Sequence, residues 1–146
     1  MSLSSTVRIT RTVRFSAAHR YHSDQLSEAE NERVFGKCHR PHGHGHDYRV
    51  EVAVEGPVDP VTGMVMNLAD LDTVLKQHVV EPLDHTFLNY DVDHFAKVVP
   101  TCENIALYVT EVVVDPLRAY GIRVAAVRVW EGMDMYAEIE LAEEPA

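Results

Sequence analysis

The order of patterned segments predicts an α+β fold, an antiparallel four-stranded sheet with two helices on one face. Three observations carry that expectation. Four stretches alternate apolar and polar residues with a period of two, as strands do when one face is buried. Two stretches of helical periodicity lie together between the second and third of these. No repeat, linker or composition break divides the 146 residues, a length that buries a sizeable core as one domain, 1–146. The expected order is strand-strand-helix-helix-strand-strand, with one long excursion after the first strand.

In the first strand Val7, Ile9, Val13 and Phe15 share one parity, and Arg8, Thr10, Thr12 and Arg14 the other. Arg11 breaks the apolar set. Ser16, Ala17 and Ala18 then lead to His19; a lone histidine is more often a surface or satisfied core residue than a ligand. Residues 20–45 carry no strand pattern, but Ser27-Glu28-Ala29-Glu30 has the form of a capping box. It predicts a short helix over 27–34, ended by Gly36. The second strand is the cleanest: His46, Tyr48, Val50, Val52 and Val54 alternate with Asp47, Arg49, Glu51, Ala53 and Glu55. Turn residues fill 56–63, and 64–66 is read as a short further strand.

Asn67 is placed to cap a helix with Asp70 in its first turn and Leu68, Leu71, Val74, Leu75 and Val79 on its stripe, ended near Pro82. Thr101 starts a second helix with Glu103 early in it, and Ile105, Tyr108, Val109, Val112 and Val113 form its apolar face. Pro116 and Gly121 are expected to bracket its end. Residues 122–131 read as a strand, and Met135, Ala137, Ile139 and Leu141 mark a last hairpin strand. Residues 1–5 and 143–146 read as tails. The helix-free face of the sheet is expected to serve as a subunit interface.

A net charge of −10 and a pI near 5.2 argue against non-specific binding to nucleic acid or anionic membranes. Two cysteines make no disulfide framework and fit a reducing compartment. No apolar run approaches the roughly 18 residues of a membrane span, and the start lacks a signal-peptide core. The expectation is a soluble cytoplasmic protein.

Cys38 to Tyr48 carries the chemistry. Four of the nine histidines fall between His39 and His46, behind a cysteine. His42, His44 and His46 share one parity and would converge on one side of an extended chain. Neutral imidazoles gathered in this way suit Zn²⁺, and spacing alone leaves His42 as eligible as the others. The bland reading is a His-rich loop that binds metal weakly, or a purification artefact. Asp84-His85, taken alone, reads as a helix-end turn. Glu131 closes a strand apolar on both faces and is either a surface strand end or a carboxylate in need of a partner.

These residues together resemble the 6-pyruvoyltetrahydropterin synthase family over almost the whole chain. The resemblance rests on Phe15-Ser16-Ala17-Ala18-His19, Phe35-Gly36-Lys37-Cys38, Gly43-His44-Gly45-His46, the run from Gly63 to Leu71, Pro82-Leu83-Asp84-His85, Thr101-Cys102-Glu103-Asn104 and Glu131. It implies the tunnelling fold, and a homohexamer of two stacked trimers with active sites at subunit interfaces. It implies one Zn²⁺ per chain on His19, His44 and His46, with Cys38, Asp84 and His85 catalytic. Glu131, Thr101 and Glu103 would bind the pterin, with Mg²⁺ a further candidate beside the triphosphate. Family members generally lack histidine at positions 39 and 42, and Cys102 and Gly132 depart from the residues often found there. Lys37, Arg40 and Arg20 are the nearest basic candidates for the triphosphate, against the plainer reading as solvated charges.

The reaction implied is a zinc-dependent elimination of triphosphate from 7,8-dihydroneopterin triphosphate to give 6-pyruvoyltetrahydropterin. Its rivals are a 6-carboxytetrahydropterin synthase of the queuosine pathway, a side-chain-cleaving aldolase, and a catalytically silent pterin- or metal-binding oligomer. Structural zinc is the weaker reading, since three histidines leave a position open.

Overall fold

Among the described residues, 5–143 of the computed structural model, alternating side chains build one sheet. Most of both expected tails, residues 1–4 and 144–146, lies outside the described residues. The strands are β1 (Val7–His19), β2 (His44–Gly56), β3 (Thr86–Phe87), β4 (Arg123–Glu131) and β5 (Met135–Glu140), in the spatial order β3-β1-β2-β4-β5. The four long strands pair antiparallel, as their patterns predict. The sheet is nevertheless five-stranded and mixed, not four-stranded and antiparallel, because β3 pairs parallel to β1 at Ala17 and Ala18. A two-residue strand has no periodicity to read. Backbone contacts of its neighbours set it: the His85 N–H donates to the Ser16 carbonyl, and the Ser16 N–H to Asp84 Oδ1.

The element order is richer than expected for the same reason of scale. α1 (Glu28–Phe35) forms where the capping box predicts, with Ser27 and Glu30 exchanging caps and Gly36 at φ +57 closing it. A 3₁₀ turn (Gly36–His39) follows. α2 (Leu68–Leu75) is capped by Asn67 and continues through a π turn (Lys76–Val80) into α3 (Glu81–Leu83). α4 (Leu88–Asp91) and a 3₁₀ turn (Asp93–Ala96) precede α5 (Cys102–Arg118). Residues 64–66 form no strand and sit in turns. α5 ends between Pro116 and Gly121, as expected, and Pro116 lies inside its last turn. It costs one backbone bond near the helix end, which the packed face outweighs.

α2 and α5 cover one face of the sheet. Leu71 and Leu75 of α2 and Ile105, Val109 and Val113 of α5 bury fully against Val50, Val52 and Val54 of β2 and Val127 and Val129 of β4. Arg11, the break in the apolar row, is answered by Asp72 of α2 through bonds of 2.7 and 3.0 Å. Both partners are over two-fifths exposed, so the pair adds at most about 1 kcal/mol. The other face carries charge and ring stacking: Arg128 pairs with Glu138, and Arg49 lies 4.3 Å over the Trp130 ring.

Candidate metal centre and active site

β1 ends at His19 and β2 begins at His44, and their antiparallel register sets the two opposite each other. His46 lies one pleat along β2, opposite the small Ala17. All three share the parity that faces the helices. Their ring centroids are 4.6 Å (His19–His44), 5.0 Å (His19–His46) and 5.0 Å (His44–His46) apart. His19 Nε2 lies 3.1 Å from His44 Nε2, and one ring nitrogen from each histidine falls within 4.8 Å of the others. Spacing left His42 eligible. The structure places it exposed and ahead of the strand, beyond a turn at Gly43 (φ +68).

The donor set fits a metal ion. Burial, then the neighbouring His44 and His46, lower the pKa of His19 to about 3, so it is the neutral imidazole that metals bind. His44 is lowered by burial and by His46. His46 Nε2 is buried with no hydrogen-bond partner, although Glu131 Oε1 lies 3.3 Å away without the alignment of one. The Tyr48 oxygen, 2.8 Å from His19 Nδ1, accepts Nδ1–H in the metal-ready tautomer and leaves Nε2 free for the ion. Tyr48 is itself buried and stacked on Phe15.

Gly43 makes this approach possible. A Cβ there would lie 2.7 Å from the His19 carbonyl oxygen and 2.6 Å from Phe87 Cζ. Gly43→Ala is therefore expected to cost more than the ~1–2 kcal/mol of left-handed strain alone, since the His19 backbone cannot yield without moving the cluster. Urea unfolding of the variant beside the parent checks this.

Glu131 closes β4 beside the cluster, with its carboxylate mostly buried. Tyr21 Oη donates to its Oε2 at 3.5 Å. Burial raises the Tyr21 phenol, and the nearby Glu131 and Cys38 raise it further. One phenol thus stands between the predicted pterin carboxylate and the predicted base. Cys38 is a half-buried free thiol on the 3₁₀ turn, whose carbonyl accepts from the Tyr21 N–H at 2.8 Å. Thr101 caps α5 and Glu103 lies in its first turn, just after Pro100, which sits beside His19. The Thr101 hydroxyl caps α5 by accepting from the Asn104 N–H, while Glu103 is exposed. Cys102 is fully buried, its thiol donates to the Val129 carbonyl, and burial pushes its pKa to about 11, which leaves an inert packing residue. Gly132 sits at φ +68 in the β4–β5 turn.

Asp84 and His85 form a dyad: His85 Nδ1 lies 2.8 Å from Asp84 Oδ2. The Ser16 N–H, then His85, lower the pKa of Asp84. The dyad is not part of the ligand cluster formed by His19, His44 and His46. His85 lines an open depression of about 380 Å³ together with Ser16, Ala18, Gly45 and Asp47, and His46 of the cluster borders it as well. The His85 side chain is 84% exposed there. Lys37 and Arg40 are exposed, while Arg20 is engaged: its Nε donates to the His39 carbonyl, and Asn89 clamps its backbone at 2.8 Å on both sides.

Tyr21 and Tyr48 are the site residues that sequence reasoning passed over. Tyr48 had a signal, two residues beyond His46 on the same parity. Tyr21 had none, since only the fold of the excursion brings it to Glu131.

A family model described as 6-pyruvoyl tetrahydropterin synthase matches residues 8–142. A 6-pyruvoyl tetrahydrobiopterin synthase of Poecilia reticulata is 52% identical over 119 residues, 80% of this chain and 81% of the relative. The enzyme of that name from Homo sapiens is 52% identical over 102 residues, 70% of each chain. The structure of Caenorhabditis elegans 6-pyruvoyl tetrahydropterin synthase superposes with a TM-score of 0.88 at 36% identity, covering 97% of this chain and all of that one.

Proposed function

Since the chain belongs to the 6-pyruvoyl tetrahydropterin synthase family, we propose that it is a lyase that eliminates triphosphate from 7,8-dihydroneopterin triphosphate and yields 6-pyruvoyltetrahydropterin. The observation that carries this reading is the meeting of three histidines, the Glu131 carboxylate and the Cys38 thiol around Tyr21. His19, His44 and His46 would hold one Zn²⁺, which supplies Lewis acidity toward the substrate's side-chain hydroxyls when bound.

This chain's own residues do the rest. Glu131 accepts hydrogen bonds from the amino and ring N–H groups of the pterin, a bidentate match that fixes the ring. Thr101 and Glu103 flank the ring's edge. Cys38 takes the carbon-bound proton of the side chain as its thiolate. The Asp84–His85 dyad tunes that thiol and returns the proton, with Asp84 orienting the imidazole. The exposed His85 ring would serve Cys38 of another copy in a homohexamer of two trimers. Residues 1–146 act as one domain, and the protein works in the cytoplasm; no helix among the described residues is long and apolar enough to cross a membrane.

The test is product analysis with the zinc-loaded protein and 7,8-dihydroneopterin triphosphate. Release of triphosphate together with a pyruvoyl pterin is expected. A carboxy pterin with acetaldehyde would transfer the protein to the queuosine branch, and binding without turnover would leave a silent pterin carrier.

Tyr48→Phe keeps the ring stack and removes one oxygen. Loss of the group behind His19 is expected to weaken zinc about 10–100-fold. Competition against a chromophoric chelator measures it, with an unchanged unfolding midpoint excluding a folding defect.

A further inference from the structure

Three side chains outside this site also gather: His22, just past β1; Glu28, which opens α1; and His39, directly after Cys38. One ligating atom from each lies within 4.8 Å of the others. The His22 and His39 rings stack at 5.2 Å and 17°. We propose that His22, Glu28 and His39 form a second divalent transition-metal site, of the Zn²⁺ or Co²⁺ class, which clamps the excursion that carries Cys38.

The hydrogen bonds prepare both imidazoles. His22 Nε2 lies 3.0 Å from Asp24 Oδ1, so Nε2 carries the proton and Nδ1 the lone pair. That Nδ1 is buried and has no hydrogen-bond partner. His39 is 4% exposed, with Nδ1 3.0 Å from the Tyr21 carbonyl and Nε2 2.8 Å from Glu28 Oε1. Both ring nitrogens therefore face acceptors. A neutral imidazole donates to only one of them; with Nδ1–H on Tyr21, Nε2 accepts from Arg20 Nη2 at 3.2 Å and the Glu28 oxygen 2.8 Å away receives no proton from the ring. An imidazolium satisfies both, but its ring nitrogens lie 3.2 and 3.4 Å from Arg20 Nη2. An ion in place of the Nε2 proton bonds the nitrogen and the carboxylate at once. Glu28, and Asp24 behind His22, then offset its charge.

Each histidine thus has an oxygen behind it, the arrangement that orients metal-bound imidazoles. Two nitrogens and one carboxylate suit Zn²⁺ or Co²⁺ better than Mg²⁺ or Ca²⁺, which prefer all-oxygen shells. The site is distinct from the first, because His39 turns toward α1 and Tyr21's carbonyl rather than toward His44. An ion there ties the end of β1, the start of α1 and the Cys38 turn together.

The test is a Co²⁺ titration of the metal-free 146-residue chain, followed by visible d–d absorption and equilibrium dialysis. Binding of a second Co²⁺ per chain is expected, lost in both His22→Ala and Glu28→Gln with the first retained. Glu28 is 76% exposed, so Glu28→Gln separates loss of a ligand from loss of fold. His44→Ala should remove the first ion and keep the second. A single Co²⁺ per chain in the parent protein would mean that His39 and Glu28 form only an ion pair, and would overturn the site. A second Co²⁺ that persists in both His22→Ala and Glu28→Gln would overturn it as well.

Discussion

Replacing Cys38 by alanine should lower turnover by about 10²–10⁴-fold, the usual contribution of a positioned base, while zinc content and pterin affinity stay at their parent values. The reason is geometric. Cys38 rides on a turn held by the Tyr21 N–H, and Tyr21 also reaches Glu131, which is proposed to hold the ring. The thiol would meet the substrate's side chain once the ring is seated. No neighbour can take over: the other cysteine, Cys102, is fully buried, donates to Val129 and has its pKa pushed to about 11. The loss should fall on kcat, since the thiol acts on the proton being removed rather than on the bound ring. Steady-state kinetics with zinc measured on the same sample would decide it. Parent-level kcat in a zinc-replete Cys38→Ala protein would move the base elsewhere.

Much of this was legible in the sequence because burial on one face writes itself into the chain. The four long strands and the main helices follow from alternation, helical stripes and caps, and Ser27-Glu28-Ala29-Glu30 fixes α1 almost to the residue. Features that rest on contacts between distant segments left no such trace. β3 exists because Asp84 and His85 hold the backbone of Ser16, so two residues align along β1. Arg11 looked like a flaw in a strand until Asp72 supplied its partner from a helix. At the site, parity made His42 the equal of His44 and His46. A turn at Gly43 separates it from them and brings in His19 from the neighbouring strand.

The dyad gives the second large effect. His85→Ala is expected to reduce turnover by about 10²–10⁴-fold without touching the metal or the fold, since the side chain is exposed and supports no core packing. His85 nevertheless holds φ +60, a left-handed backbone that costs a residue with a Cβ ~1–2 kcal/mol. Its N–H bond to Ser16 and its Asp84 contact hold that strain at 2.6 and 2.8 Å. Strain held at an exposed imidazole points to a role other than packing. It holds the ring exposed at the open depression that Ser16, Asp47 and His46 also line. If that ring serves the thiol of a second copy, silent Cys38→Ala and His85→Ala chains should regain turnover when unfolded together and reassembled. Some interfaces then unite an intact thiol from one chain with an intact dyad from the other. Separate refolding of each variant supplies the baseline. A mixture that stays as silent as its parts would place the dyad's work within its own chain, where the open depression at Ser16 and Asp47 would have to hold the reacting group.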